Sequence, residues 1–196
     1  MGPRARKFVD RCPHCGCVIV SWPEEGPAAS PMDLLSDQRP CCALCHLAQN
    51  LERCEIDREA ILIWAPEFTQ GALNALAHRI HRIAATHGKP VFWSPDPPPA
   101  NSPEDLFAAS SAYAALVERS VTAKQCLGTS SPRDLAEALS FISPSTYAHR
   151  HELLGGVRLL PLGRFFVDGR DVYPRLLAAT GIPSNSSINS RAAARR

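Results

Sequence analysis

Two cysteine pairs, Cys12-Pro13-His14-Cys15 and Cys42-Ala43-Leu44-Cys45, constrain what this chain can fold into more than any other feature. Two residues between thiols let a tight turn present both sulfurs to one ion. A second such turn then closes a tetrahedron of thiolates, the surrounding that Zn(II) prefers. We therefore read Cys12, Cys15, Cys42 and Cys45 as ligands of one zinc ion that serves folding rather than catalysis. Cys17, Cys41 and Cys54 are spare thiols, any of which is chemically able to replace an assigned ligand, while Cys126, inside a helical pattern, reads as a core residue. Cys-Pro-His-Cys also occurs in thiol oxidants, but that chemistry needs the first cysteine at a helix N-terminus after a strand. Here Gly16-Cys17-Val18-Ile19-Val20 follows as a turn and a strand.

Of the 196 residues, 45% are hydrophobic and 20% charged, which is enough apolar material for a packed core. The charge balance, 21 − 19 = +2, is too small to point to nucleic acid by itself. The first residues are charged and lack the apolar run of a signal peptide. The longest apolar stretch, about Ala60 to Pro66, is far short of the roughly 20 residues that span a bilayer. A cytoplasmic, reducing location without membrane insertion is expected, and in it eight cysteines read as metal ligands or free thiols before disulfides.

Ala60 to Trp64 reads as a short buried strand stopped at Ala65-Pro66, and Thr69 caps a helix from about Gln70 to Thr86 with Leu73, Leu76, Ile80 and Ile83 on its apolar face. Residues 94–103 form a proline-rich linker. A second helix, capped by Ser102, runs from Pro103 to about Leu127, and Ser131-Pro132 opens a third to about Phe141. Val157–Leu160 and Phe165–Val167, with a turn at Asp168-Gly169, suggest a hairpin. The division is thus a zinc-binding unit over 1–93, the linker, a mostly helical region with a hairpin over 104–183, and a tail over 184–196.

The knuckles resemble the frame of a treble-clef or HNH nuclease, in which the first leads to a β-hairpin and the second opens a helix. Cys45-His46 matches the start of the HNH metal helix. A working site also needs a general base at the end of the first strand, where this chain has Val18-Ile19-Val20-Ser21-Trp22. Glu24 and Glu25 nearby read as solvated. His78, His81 and Arg82 read as a solvated helix face, and His149 and His151 as surface. An HNH-type metal-dependent nuclease and a zinc-ribbon nucleic-acid-binding protein are the alternatives. The first lacks its base and the second lacks a basic stripe.

Cys42-Ala-Leu-Cys45-His46-Leu47-Ala48-Gln49 and Leu62-Ile63-Trp64-Ala65-Pro66-Glu67-Phe68-Thr69-Gln70-Gly71-Ala72-Leu73-Asn74-Ala75-Leu76 resemble the IcmJ (DotN) family of Dot/Icm-type, or type IVB, secretion and conjugation systems. Shorter matches follow at Val117-Glu118-Arg119 through Leu127-Gly128, at Ser131-Pro132 and at Gly156 to Pro161. The resemblance implies an α+β protein: a zinc-bound, HNH-like treble-clef unit with a mostly helical C-terminal half. It implies a non-catalytic adaptor in the cytoplasm, recruited to the inner face of the inner membrane. Its partners would be the C-terminal segment of the type IV coupling ATPase and other coupling-complex subunits, with nucleic acid not expected. Val157, Leu159, Phe165 and Phe166 offer either an open strand edge or a groove for that segment.

Overall fold

The computed structural model describes residues 11–19, 41–92, 94, 99 and 101–180. The expectations for residues 1–10, for Ser21, Trp22, Glu24 and Glu25, and for the 184–196 tail lie outside these residues, as does most of the linker.

Along the described chain come α1 (Ala43–Gln49), α2 (Ile56–Glu59), β1 (Ala60–Trp64) and α3 (Gln70–Thr86). Then follow α4 (Glu104–Glu118), α5 (Ser120–Leu127), α6 (Pro132–Ser140), α7 (Pro144–Ala148), α8 (Arg150–Leu153), β2 (Val157–Pro161), β3 (Phe166–Val167), β4 (Arg170–Asp171) and α9 (Tyr173–Ala179). It is a mixed fold of helices with two small antiparallel sheets. The Thr69 cap of α3 is as expected, its hydroxyl accepting from the Ala72 amide at 3.1 Å, and Ser131 caps α6 in the same way.

Four expectations are corrected. Val157–Pro161 pairs with β1, in the register Ala60↔Pro161 to Trp64↔Val157, and the hairpin at Asp168-Gly169 joins only Phe166–Val167 to Arg170–Asp171. The reason is a buried carboxylate: Glu59 is fully enclosed, forms a two-pronged pair with Arg53 at 2.9 and 2.8 Å, and accepts the Phe166 amide at 2.6 Å. Its own carbonyl accepts the Leu162 amide at 2.7 Å, so the chain leaving β2 is pinned beside the start of β1. The second helix is broken at Arg119, whose carbonyl is shared between the Ala123 and Trp64 amides, and its N-cap is Pro103, not Ser102. Cys126 is exposed rather than in the core, because on α5 the face turned to β1 carries Ala123.

His81 is the fourth correction. It is 1% exposed, with Nδ1 2.8 Å from the Tyr173 hydroxyl and Nε2 3.3 Å from that of Tyr113, whose own hydroxyl donates to the Pro161 carbonyl. Both rings meet the imidazole edge-on, so α3, α4, α9 and β2 converge on one polar point inside an apolar core.

Neither edge of the larger sheet is open. On β1 the outward amides of Leu62 and Trp64 donate to Ser130 and Arg119. On β2 the Leu159 amide and carbonyl are both taken by the Gln70 side chain, Pro161 has no amide proton, and its carbonyl is used by Tyr113. The edges are closed to strand addition.

Candidate metal centre

The first knuckle is a tight loop. The Cys12 amide donates to the Cys17 carbonyl at 2.8 Å, the Gly16 amide to the Cys12 carbonyl at 2.9 Å, and Arg11 bridges Val18. Gly16 takes φ +72°, a conformation that residues with a Cβ adopt at a cost, which is why glycine stands where the loop reverses. The second knuckle opens α1: Cys42 is its N-cap in extended conformation, and Cys45 sits three residues on, so one turn of helix aims both thiols the same way.

Together these turns bring the sulfurs of Cys12, Cys15, Cys42 and Cys45 within 4.8 Å of one another, with Cys15 and Cys42 at 3.4 Å. A tetrahedral zinc with sulfurs at about 2.3 Å requires sulfur–sulfur separations of about 3.8 Å. The cluster therefore fits a metal ion of that size. Cys12 and Cys45 are each 2% exposed; with Cys42 they belong to the continuous core, and Cys15 packs against it.

Crowding sets the charge pattern of these thiols. Hydrogen bonds from Cys17, Cys42 and Cys45 converge on Cys15 and lower its pKa, while Cys17 and Cys42 are held protonated, first through that same bonding to Cys15. Cys41 is pushed up to about 11 by burial and then by the charges of Cys12 and Cys15. A bound divalent cation removes the conflict by stabilising every thiolate at once. Of the spare thiols, Cys17 sits beside Cys15, Cys41 is buried next to Cys42, and Cys54 is exposed. The four assigned residues, and none of the spares, form the cluster.

α3 seals the site. A Cβ at Gly71 would overlap the His14 carbonyl oxygen, so the helix backbone lies directly on the first knuckle. One turn on, Asn74 Nδ2 donates to Cys45 Sγ at 3.2 Å. Gln49 and His14 side chains, 3.1 Å apart, tie α1 to the first knuckle. Gly71 and Asn74 were missed from sequence. A signal existed: Asn74 interrupts the apolar face made by Leu73, Ala77 and Ile80, and a buried amide needs a partner.

His46, the match to the HNH metal helix, is enclosed in the core. It is 7% exposed, packed edge-on against Phe165 with centroids 5.9 Å apart, and its Nδ1 lies 3.3 Å from Asn50 Nδ2. Burial, then the Arg53 charge, lowers its pKa. His78 is half-buried, with its pKa lowered by burial and then by Arg82. His149 and His151 are exposed.

No helix among the described residues is long and apolar enough to cross a membrane. No family model matches the chain, and no curated protein does.

Proposed function

We propose that this chain is a zinc-organised, non-catalytic adaptor of a type IV secretion coupling complex, binding the C-terminal extension of the coupling ATPase. The observation that carries the non-catalytic part is the donor set. Four cysteines, two of them 2% exposed, make a closed thiolate site, whereas catalytic zinc keeps one position for water or substrate. The ion's contribution there is to hold two distant turns together. Burial of His46 against Phe165 favours the same reading over an HNH-type nuclease.

The place in a secretion system rests on the resemblance of residues 42–76 to the IcmJ (DotN) family. With the edges of the larger sheet closed, helical surfaces are the better candidates for a partner. Phe141, 80% exposed, and Leu153, 62% exposed, lie with Tyr147 around α7 and α8 and offer apolar contact of the kind an amphipathic helix uses. A segment that orders on docking loses several kcal/mol in entropy, so the interface must be largely apolar and resistant to salt.

Capture of the tagged chain from its native host at high salt should recover the coupling ATPase, and supercoiled DNA should survive Mg(II) or Mn(II). Salt-sensitive recovery of nucleic acid would retire the adaptor reading in favour of a binding module. DNA cleavage abolished by His46→Ala would make the chain a nuclease.

A further inference from the structure

Asn74 is wholly buried on α3. The way its amide points is fixed from a distance. The Leu159 amide donates to Gln70 Oε1 at 2.9 Å, and the Leu159 carbonyl accepts from Gln70 Nε2 at 2.7 Å. A peptide N–H can only donate and its C=O can only accept, so the Gln70 side chain has one allowed orientation. Gln70 Nε2 also donates to Asn74 Oδ1 at 3.0 Å. With its oxygen committed, Asn74 has only Nδ2 to present on the other side, and there stands Cys45 Sγ at 3.2 Å. The polarity of the β2 backbone thus dictates that a donor, and not an acceptor, faces the sulfur.

We propose that Asn74 is a positioning residue of the metal centre: its amide aims and stabilises the Cys45 thiolate, and Gln70 holds that amide by anchoring it to Leu159. The inference rests on reading the four cysteines as a metal site. A hydrogen bond to a ligating sulfur draws charge from it and restricts its rotamer. In a dry site nothing else can replace it, since water has no access to Asn74 or Cys45, which are 0% and 2% exposed. It also accounts for Gln70 and Asn74 at the start of a helix whose neighbouring inward residues, Leu73, Ala77 and Ile80, are apolar.

The test uses the whole chain loaded with zinc or with Co(II). Asn74→Leu keeps the branching of the side chain, though not its volume, and removes the donor. Gln70→Leu, at a half-buried position, releases the Asn74 amide with Asn74 itself in place, at the cost of the two Leu159 hydrogen bonds. Outer partners of metal ligands are worth about 10- to 100-fold in affinity, so Asn74→Leu should lose zinc to a competing chelator that much more readily. Gln70→Leu should do the same to a smaller extent. In the cobalt form the sulfur-to-metal charge-transfer band should move to lower energy in both, because a sulfur without its hydrogen bond gives up an electron more easily. If Asn74→Leu does not fold, Gln70→Leu carries the test. Variants that melt earlier but keep the wild-type band and chelator resistance overturn the proposal and leave the metal centre standing. A wild-type chain that takes up neither ion removes the metal centre and this inference with it.

Discussion

His81 has a neutral ring with one donor and one acceptor, and the structure assigns both. Tyr113 donates its only hydroxyl proton to Pro161, so His81 Nε2–H donates to Tyr113 and Nδ1 accepts from Tyr173. A proton on Nδ1 would oppose the Tyr173 donor and stand in a site without water. Burial, with a smaller push from His78, accordingly takes the pKa from the usual 6.5 down to about 3. The sign follows from linkage. Between these values the unfolded chain binds a proton that the folded chain refuses, so the stabilisation is complete above about pH 6.5 and is lost as pH falls towards 3. The slope is about 1.4 kcal/mol per pH unit, or about 2 kcal/mol at pH 5. Denaturant titrations at pH 7.5 and 5 should show a loss smaller by about that amount in His81→Phe than in the wild type, the remainder coming from His46 and His78, whose pKa values are also lowered; an equal loss in both would refute the assignment. Its polar neighbours in sequence, His78 and Arg82, hid this, although on a helical wheel His81 lies closest to the buried Asn74 and Ala77. The tyrosines from α4 and α9 make its burial tolerable.

At the scale of elements, local signals were read well and long-range ones poorly. The Thr69 and Ser131 caps, the strand at Ala60–Trp64 and the Asp168-Gly169 turn all act through neighbours in sequence, and all are present. Asp168 and Gly169 both take positive φ, +50° and +73°, the pair a tight hairpin demands. The partner of Val157–Pro161 was not legible, because Glu59 and Arg53, which fix it, lie about a hundred residues away. Nor was the break at Arg119, set by an amide of β1. Gly71 belongs with these. Alanine should gain up to about 1 kcal/mol in helix propensity, but its Cβ would overlap the His14 carbonyl, and overpacking costs about 1–3 kcal/mol. The clash should win. Gly71→Ala is expected to melt earlier and to release metal faster, whereas Gly155→Ala, where the nearest atom is at 3.4 Å, should be close to neutral. A Gly71→Ala chain more stable than wild type would show that α3 does not bear on the knuckle.

At the scale of the molecule, two small sheets and the helices of the described residues share one core, and that core runs without a gap from Leu159 and Tyr173 through Leu73 to Cys12, Cys42 and Cys45. A structural zinc ion supplies about 10–16 kcal/mol of apparent binding energy, against a net domain stability of about 5–15 kcal/mol. Metal and fold should therefore be lost together. The four-cysteine cluster was legible because its spacing is chemistry local to each turn. The way α3, Gln70 and β2 brace them was not, since those contacts join residues 45, 74 and 159. The central claim is a metal held by four sulfurs, and X-ray absorption at the zinc edge of the purified chain reads that directly. The expected result is one zinc per chain with four sulfurs at about 2.3 Å. Protein folded without metal, or a shell in which nitrogen or oxygen replaces sulfur, would contradict it.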